Sequence, residues 1–306
     1  MPPPSQTPSF ESHLPRQRAD GRAVAPSVWV APTGVSIVRI EPWLNGPEAE
    51  WLWHGFSTRR GGFSRAYGAS SAEGDLNLGF TAEDERENVA RNRQLLAESV
   101  TGDPGTPLLT LKQVHSSLVV AAGGGDVDRV APHEADGLMT DQPGLLVGVQ
   151  TADCMPVLVA DRRRRVVAAF HAGWRGTAKR IVESGVARMR EAFDCSPDDL
   201  TAAIGPGIGA CCYAIGEEVF STFKSNFTYA IQLFHEVSGR DGSASELHVD
   251  LAEANRRQLL DAGLSAAAIY TTGGCTSCHP ELFFSHRASG GHAGRMMSVI
   301  GIRKGL

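Results

Sequence analysis

Two apolar runs, Met155 to Ala160 and Val166 to Phe170, are separated by Asp161-Arg162-Arg163-Arg164-Arg165. Neither run alternates with polar residues, so both faces of each must be covered, whereas five successive charged side chains must stay in water. The pattern predicts a hairpin of buried strands joined by a solvated turn. A hairpin sets the residues at its open end side by side, and here those residues are Cys154 and His171. Upstream, Leu111-Lys112-Gln113-Val114-His115 reads as another short strand that ends in an imidazole. A thiolate and two imidazoles with one position left open is the ligand pattern of catalytic zinc, in which the metal keeps a water to be activated. The competing reading is a small buried hydrophobe and two hydrogen-bonded core histidines. Polar crowding by Thr151, Asp153, Trp174 and Arg175, where a structural hairpin favours apolar or turn residues, weighs toward a site.

Residues 1–35 are rich in Pro, Ser and charge and lack a sustained apolar period, so they are expected to be a flexible tail. No Pro/Gly-rich linker divides residues 36–306, which are expected to form a single domain. With 306 residues and 42% hydrophobic content the chain can bury a substantial core. Strands are expected at Ser36–Ile40, within Trp51–Thr58, at Leu200–Ile204 and at Ala266–Tyr270. Helices are expected at Ala82–Val100, Ala178–Phe193, Glu217–Phe227 and Leu251–Ala262, the last ended by Gly263.

The net charge of -5 argues against a general nucleic-acid binder, which needs a basic field to displace counterions. The Arg162–Arg165 run is too short, and too poor in aromatics, to supply one. No stretch approaches the roughly 18 apolar residues needed to span a bilayer, and no export signal opens the chain. A cytoplasmic protein is therefore expected, with no membrane partner, and a protein partner is not legible. The six cysteines then read as thiols or ligands rather than a disulfide framework. Cys275-Thr276-Ser277-Cys278-His279 matches a haem-attachment motif and half of a zinc knuckle. Haem attachment needs an exported chain, and a knuckle needs a second Cys/His pair nearby, so neither reading is adopted. Cys211 and Cys212 read as core and rim. Gly205-Pro206-Gly207-Ile208-Gly209 reads either as a tight turn or as an anion cradle.

Seven blocks carry a resemblance: His54-Gly55-Phe56-Ser57-Thr58-Arg59, Leu76-Asn77-Leu78-Gly79, Lys112-Gln113-Val114-His115, Thr151-Ala152-Asp153-Cys154, His171-Ala172-Gly173-Trp174-Arg175-Gly176, Ile204-Gly205-Pro206 with Cys212-Tyr213, and Phe284-Ser285-His286-Arg287 with Gly294-Arg295-Met296. In order and spacing they resemble the laccase-domain family, known as polyphenol oxidases or as zinc-dependent purine nucleoside phosphorylases. The resemblance implies an α+β fold with mixed β-sheets flanked by helices, and a catalytic metal on His115, Cys154 and His171. It also implies Arg59 and Asn77 near the substrate, and Cys275, Thr276 and Arg287 as pocket residues.

Zinc is favoured over copper, because a multicopper oxidase draws on many His-x-His pairs and the 10 histidines here form none. The expected activity is phosphorolysis of purine nucleosides (adenosine, inosine, methylthioadenosine), with deamination of adenosine by a metal-activated water. Asp153 is the candidate proton shuttle; Arg59, Arg175 and the turn at Gly205 are candidates for the phosphate. The rival readings are a metal-free Cys/His hydrolase, a copper-dependent polyphenol oxidase, and a non-enzymatic metal-binding module.

Overall fold

The computed structural model describes residues 26–68, 74–123, 133–238 and 245–305. In chain order its strands are β1 Trp29–Val30, β2 Ser36–Val38, β3 Leu52–Ser57, β4 Arg60–Gly62, β5 Gly74–Asp75, β6 Leu108–Leu109, β7 Val119–Ala121, β8 Gly137–Thr140, β9 Leu146–Thr151, β10 Met155–Asp161, β11 Val166–Ala172, β12 Leu200–Ile204, β13 Phe234–Val237, β14 Glu246–Val249, β15 Ile269–Thr271 and β16 Met296–Ile302. The two apolar runs are the centre of the molecule. β10 and β11 pair antiparallel from Met155↔Ala172 to Asp161↔Val166, in the middle of a six-stranded sheet ordered β15-β12-β10-β11-β8-β7. The second six-stranded sheet is ordered β1-β2-β3-β16-β9-β6.

Strand alternation decides what each face meets. Leu158, Ala160, Val167, Ala169 and Ala203 of the first sheet pack against Phe56, Val147, Val149 and Ile300 of the second. On the opposite face, Val157, Val159, Ala168 and Phe170 meet Ile181, Val182, Val186 and Met189 of the helix Ile181–Phe193. The outer face of the second sheet, with Ile37, Met297 and Val299, is covered by Leu95, Leu96 and Val100 of the helix Arg86–Thr101. Covering both faces of β10 and β11 is why their sequences are continuously apolar. Most pairings are antiparallel, and β6–β9, β7–β8 and β12–β15 are parallel, so the fold is α+β with mixed sheets flanked by helices, as expected.

The turn between the runs is solvated at Arg162 to Arg165, which are all exposed, whereas Asp161, expected in water with them, is buried. Asp161 anchors the turn: its Oδ1 accepts from the backbone N–H groups of Arg163 at 2.8 Å and Arg164 at 2.6 Å.

Four further expectations need correction. Residues 29–35, assigned to the tail, contribute β1, which pairs with β2 and stacks Trp29 under the Arg39 guanidinium at 3.8 Å; a two-residue strand has no period to read. Residues 1–25 of that tail lie outside the described residues. The helix expected at Ala178–Phe193 is two helices, Trp174–Ala178 and Ile181–Phe193, divided by Arg180 in the left-handed region at φ +60°. Ala266–Ala268 is a 3-10 turn that precedes the shorter strand β15. Leu111–His115 is not a strand. Only Leu108–Leu109 pairs with β9, and beyond it the Gln113 side chain replaces backbone pairing, donating to Gln150 O and accepting from Gln150 N at 2.7 Å each. Among the described residues no helix is long and apolar enough to cross a membrane.

The helix Ile181–Phe193 is seated on β11 through Gly185, where a Cβ would lie 2.3 Å from Phe170 Cζ. Gly185→Ala should gain about 0.5–1 kcal/mol of helix propensity but lose about 1–3 kcal/mol to overpacking. A net fall in the denaturation midpoint is expected, and a rise would show that the helix does not bear on Phe170.

Candidate metal centre

The open end of the hairpin is also where the chain passes between sheets, leaving β9 at Thr151 and entering β10 at Met155. In this crossing Asp153 has φ +91°. The ligating atoms of the next residue, Cys154, and of His115 and His171 lie within 4.8 Å of one another. Cys154 Sγ is 3.9 Å from His115 Nε2, and the two imidazoles meet edge-on with centroids 4.9 Å apart. Gly173 leaves them room: a Cβ there would sit 2.7 Å from Cys154 Sγ and 3.1 Å from His115 Cδ2.

One carboxylate, absent from the sequence reading, organises both histidines. Asp136 is fully buried just before β8. Its Oδ1 accepts from His171 Nδ1 at 2.8 Å and from the His115 N–H at 3.0 Å. Its Oδ2 accepts from the Ser116 N–H at 2.6 Å, the Ser116 hydroxyl at 2.7 Å and the Val114 N–H at 3.2 Å. The loop carrying His115 is thereby held at φ +59°, a conformation uncommon for any residue but glycine. Because Nδ1 of His171 is engaged, its Nε2 is the nitrogen free to act as a ligand, the arrangement that metal-binding histidines favour.

Burial resists ionisation of the Cys154 thiol. The positive His171, together with hydrogen bonds from His115 and His171, outweighs that resistance and brings the thiol down to about 6. Burial likewise opposes charge on His171, but the Cys154 thiolate and Asp136 hold it up at about 9. The Asp136 carboxyl, despite its burial, is kept well below the usual carboxylate range by His171 and Ser116. A preformed thiolate with two imidazoles suits a borderline divalent ion.

The three side chains open onto a cavity of about 530 Å³, within the range of small-molecule sites. Its wall includes Lys112, Gln113, Gln150, Asp153, Trp174, Ile208, Tyr213, His286, Arg287 and Arg295. Asp153 is the one carboxylate among these described lining residues, and both its oxygens are placed: Oδ1 accepts from Thr276 Oγ1 at 2.6 Å and Oδ2 from the Arg287 N–H at 2.7 Å.

The structure thus brings His115, Cys154, His171, Asp153 and Arg287 together, with Thr276 one hydrogen bond behind them. Other expected residues lie elsewhere. Arg175 is outside the lining, half-exposed, over the Trp174 ring and 3.5 Å from Glu218. Arg59 is committed to a two-bond ion pair with Asp75, at 2.9 and 2.6 Å, and to Tyr67 O and Pro280 O. Asn77 is fully buried; it donates to Asp84 and accepts from the Arg295 N–H, which fixes that lining residue from behind. Gly205 is packed in the core, where a Cβ would strike the Phe56 ring at 2.2 Å, so the glycine run is a close-packed turn rather than an open cradle. Cys275 is buried beside Cys211, Cys212 and Cys278.

Residues 53–303 match the model of a family described as multi-copper polyphenol oxidoreductase laccase. The purine nucleoside phosphorylase of Bacteroides thetaiotaomicron is 35% identical over 258 residues, covering 82% of this chain and 92% of that protein. Adenosine deaminase RL5, from an unknown prokaryotic organism, is 36% identical over 176 residues, 57% of this chain and 65% of its own length. The crystal structure of YlmD from Geobacillus stearothermophilus superposes with a TM-score of 0.75 at 32% identity, over 91% of this chain and 100% of that one.

Two measurements test the geometry. Asp136→Asn should weaken binding of zinc, used as a probe ion, by about 10–100-fold in competition with a chelator; unchanged affinity would mean that Asp136 does not orient His171. In metal-free protein, alkylation of Cys154 followed by peptide mass spectrometry should rise with pH to a half-maximum near 6. A half-maximum near the ordinary thiol value of about 8.5 would remove the imidazolium from the pair.

Proposed function

The chain belongs to the laccase-domain family, and from that premise we propose that it is a zinc-dependent purine nucleoside phosphorylase that also deaminates adenosine. The observation that carries the reading is the convergence of His115, Cys154 and His171 at the floor of a cavity that also holds cationic and aromatic side chains. The relatives named for these two reactions supply the substrate class. Zinc fits the donor set, since one thiolate and two imidazoles leave a fourth tetrahedral position open. When bound, it supplies a Lewis acid that lowers the pKa of a coordinated water toward neutrality.

The residues divide the remaining work. Trp174 and Tyr213, whose rings carry the Arg175 and Arg287 guanidinium groups at 4.1 and 5.2 Å, supply aromatic surface for a flat base, and burial pushes the Tyr213 phenol up to about 12, so it stays a neutral donor. Arg287 and Arg295 supply positive charge for phosphate. Arg287 is fixed by donation to Ala214 O at 3.0 Å, and Arg295 by donation to Ala293 O at 2.6 Å. Asp153 is the proton carrier, its position set by Thr276 and the Arg287 backbone. In phosphorolysis the glycosidic C–N bond breaks, a phosphate oxygen bonds to the sugar carbon, and the base leaves with a proton. In deamination, water replaces the amino group and ammonia departs.

A second reading has its own support: a thiol brought to about 6 beside an imidazole at about 9 is the charge state of a Cys/His nucleophilic pair. Copper oxidase chemistry is less well served, because the other ligand cluster among the described residues contains only cysteines.

Purified protein incubated with adenosine, inosine or methylthioadenosine should release free base and sugar phosphate only when phosphate is present, and should form inosine and ammonia from adenosine without it. Chelation should abolish both activities, and zinc should restore them. Turnover that survives chelation and is lost on alkylation would favour the thiol hydrolase; no turnover of any nucleoside would overturn both. Asp153→Asn should lower kcat by about 10²–10⁴-fold with zinc content unchanged.

A further inference from the structure

The Cys-x-x-Cys run at 275–278 lacks a partner pair in the neighbouring sequence, but the fold provides one. An isolated bridge joins Gly207 to Cys275, and the Thr276 N–H donates to Gly207 O at 3.0 Å. These contacts lay the segment 207–213 along 275–279. Four sulfurs, on Cys211, Cys212, Cys275 and Cys278, come within 4.8 Å of one another. Cys278 Sγ is 3.5 Å from Cys211 Sγ and 3.4 Å from Cys212 Sγ.

These separations have a chemical meaning. A tetrahedron with metal–sulfur bonds of about 2.3 Å has edges of about 3.8 Å, which matches four sulfurs gathered around one point. A disulfide needs about 2.05 Å and joins sulfurs in pairs, and none of the four is so joined. An iron–sulfur cluster, several atoms across, would hold its ligands further apart. The donor set is sulfur alone, with no histidine or carboxylate. Cys275 and Cys278 are buried with Ile208, and the Gly209 N–H donates to Cys275 Sγ at 3.2 Å, which fixes the position of that sulfur.

We propose that Cys211, Cys212, Cys275 and Cys278 form a second, closed metal site that binds one zinc ion and staples a loop of the cavity wall to the loop behind it. Loading exchanges four thiol protons for one Zn2+ and involves no redox change. With all four positions taken by sulfur, the site has no place for substrate and is structural. Its effect is local and specific. One stapled segment carries Ile208 and Tyr213, which line the cavity, and the other carries Thr276, which positions Asp153. The inference does not depend on which reaction the cavity performs.

Elemental analysis of the full-length protein purified with zinc should find two ions per chain. Cys154→Ala, which empties the His/Cys centre, should retain one, and Cys275→Ser/Cys278→Ser should lose the other. In zinc-loaded Cys154→Ala, the four cysteines should resist iodoacetamide until a chelator is added, and cobalt substituted for the zinc should show the intense near-ultraviolet sulfur-to-metal bands of an all-thiolate tetrahedron. A Cys154→Ala chain that holds no zinc would overturn the proposal. So would rapid alkylation of the four cysteines without chelator, or a disulfide among them in freshly purified protein. Zinc retained by Cys154→Ala at two per chain would instead count against the His/Cys centre, so the two sites fail separately.

Discussion

A buried carboxylate costs several kcal/mol to desolvate unless it is surrounded by donors, and Asp136 meets that demand in a way that dictates the site. Its donors come from two places distant in sequence, the backbone and hydroxyl of 114–116 and the ring of His171. Satisfying one charge therefore fixes a loop, selects an imidazole nitrogen and draws the two histidines to the same thiol. Cys154 need only arrive at the end of its strand. The geometry of the triangle is a by-product of hydrogen-bond satisfaction around a fully buried residue outside the cavity lining.

Asp153 repeats the device in the cavity wall. Its carboxylate collects Thr276 and the Arg287 N–H, and its carbonyl accepts from the Ile208 N–H at 2.7 Å. Both His115 and Asp153 hold left-handed backbone conformations, which cost on the order of 1–3 kcal/mol each. Both are pinned by buried carboxylates, so strain and restraint coincide. Two loops that would otherwise sample many conformations are fixed around the cavity by contacts internal to the chain, which lowers the ordering cost of binding.

The hairpin was legible because its strands are buried on both faces and announce themselves as unbroken apolar runs, and with it came the pairing of Cys154 with His171. His115 could be named by residue type, but its loop could not be foreseen, since the force that shapes it comes from Asp136, which in sequence is only an acid before an apolar stretch. Arg59 and Asn77 illustrate a different limit. A guanidinium looks the same in sequence whether it serves a substrate or Asp75, and only tertiary contacts separate the two. Gly205 was ambiguous for a similar reason, because a glycine admits a ligand or a neighbouring ring equally well and here the ring is Phe56. The cysteine cluster was missed because 63 or more residues separate Cys211 and Cys212 from Cys275 and Cys278, whose sulfurs only the tertiary fold brings together.

The passage from β9 to β10 places the cavity at a corner where the two sheets are joined by covalent chain. Cys154 and His171 belong to one sheet, whereas the His115 loop is moored to the other through Gln113 and Gln150 and to the first through Asp136. The ligand triangle therefore spans two slabs and works as a gauge of their registry. A small slippage of one slab over the other, from a cavity opened at Leu158 or Val149 in the intervening core, would reach the triangle as a change of shape. Interior residues remote from the cavity in this sense help to set the shape of the Cys/His triangle, and the divide between residues that hold the fold and residues that shape the cavity does not apply along this seam.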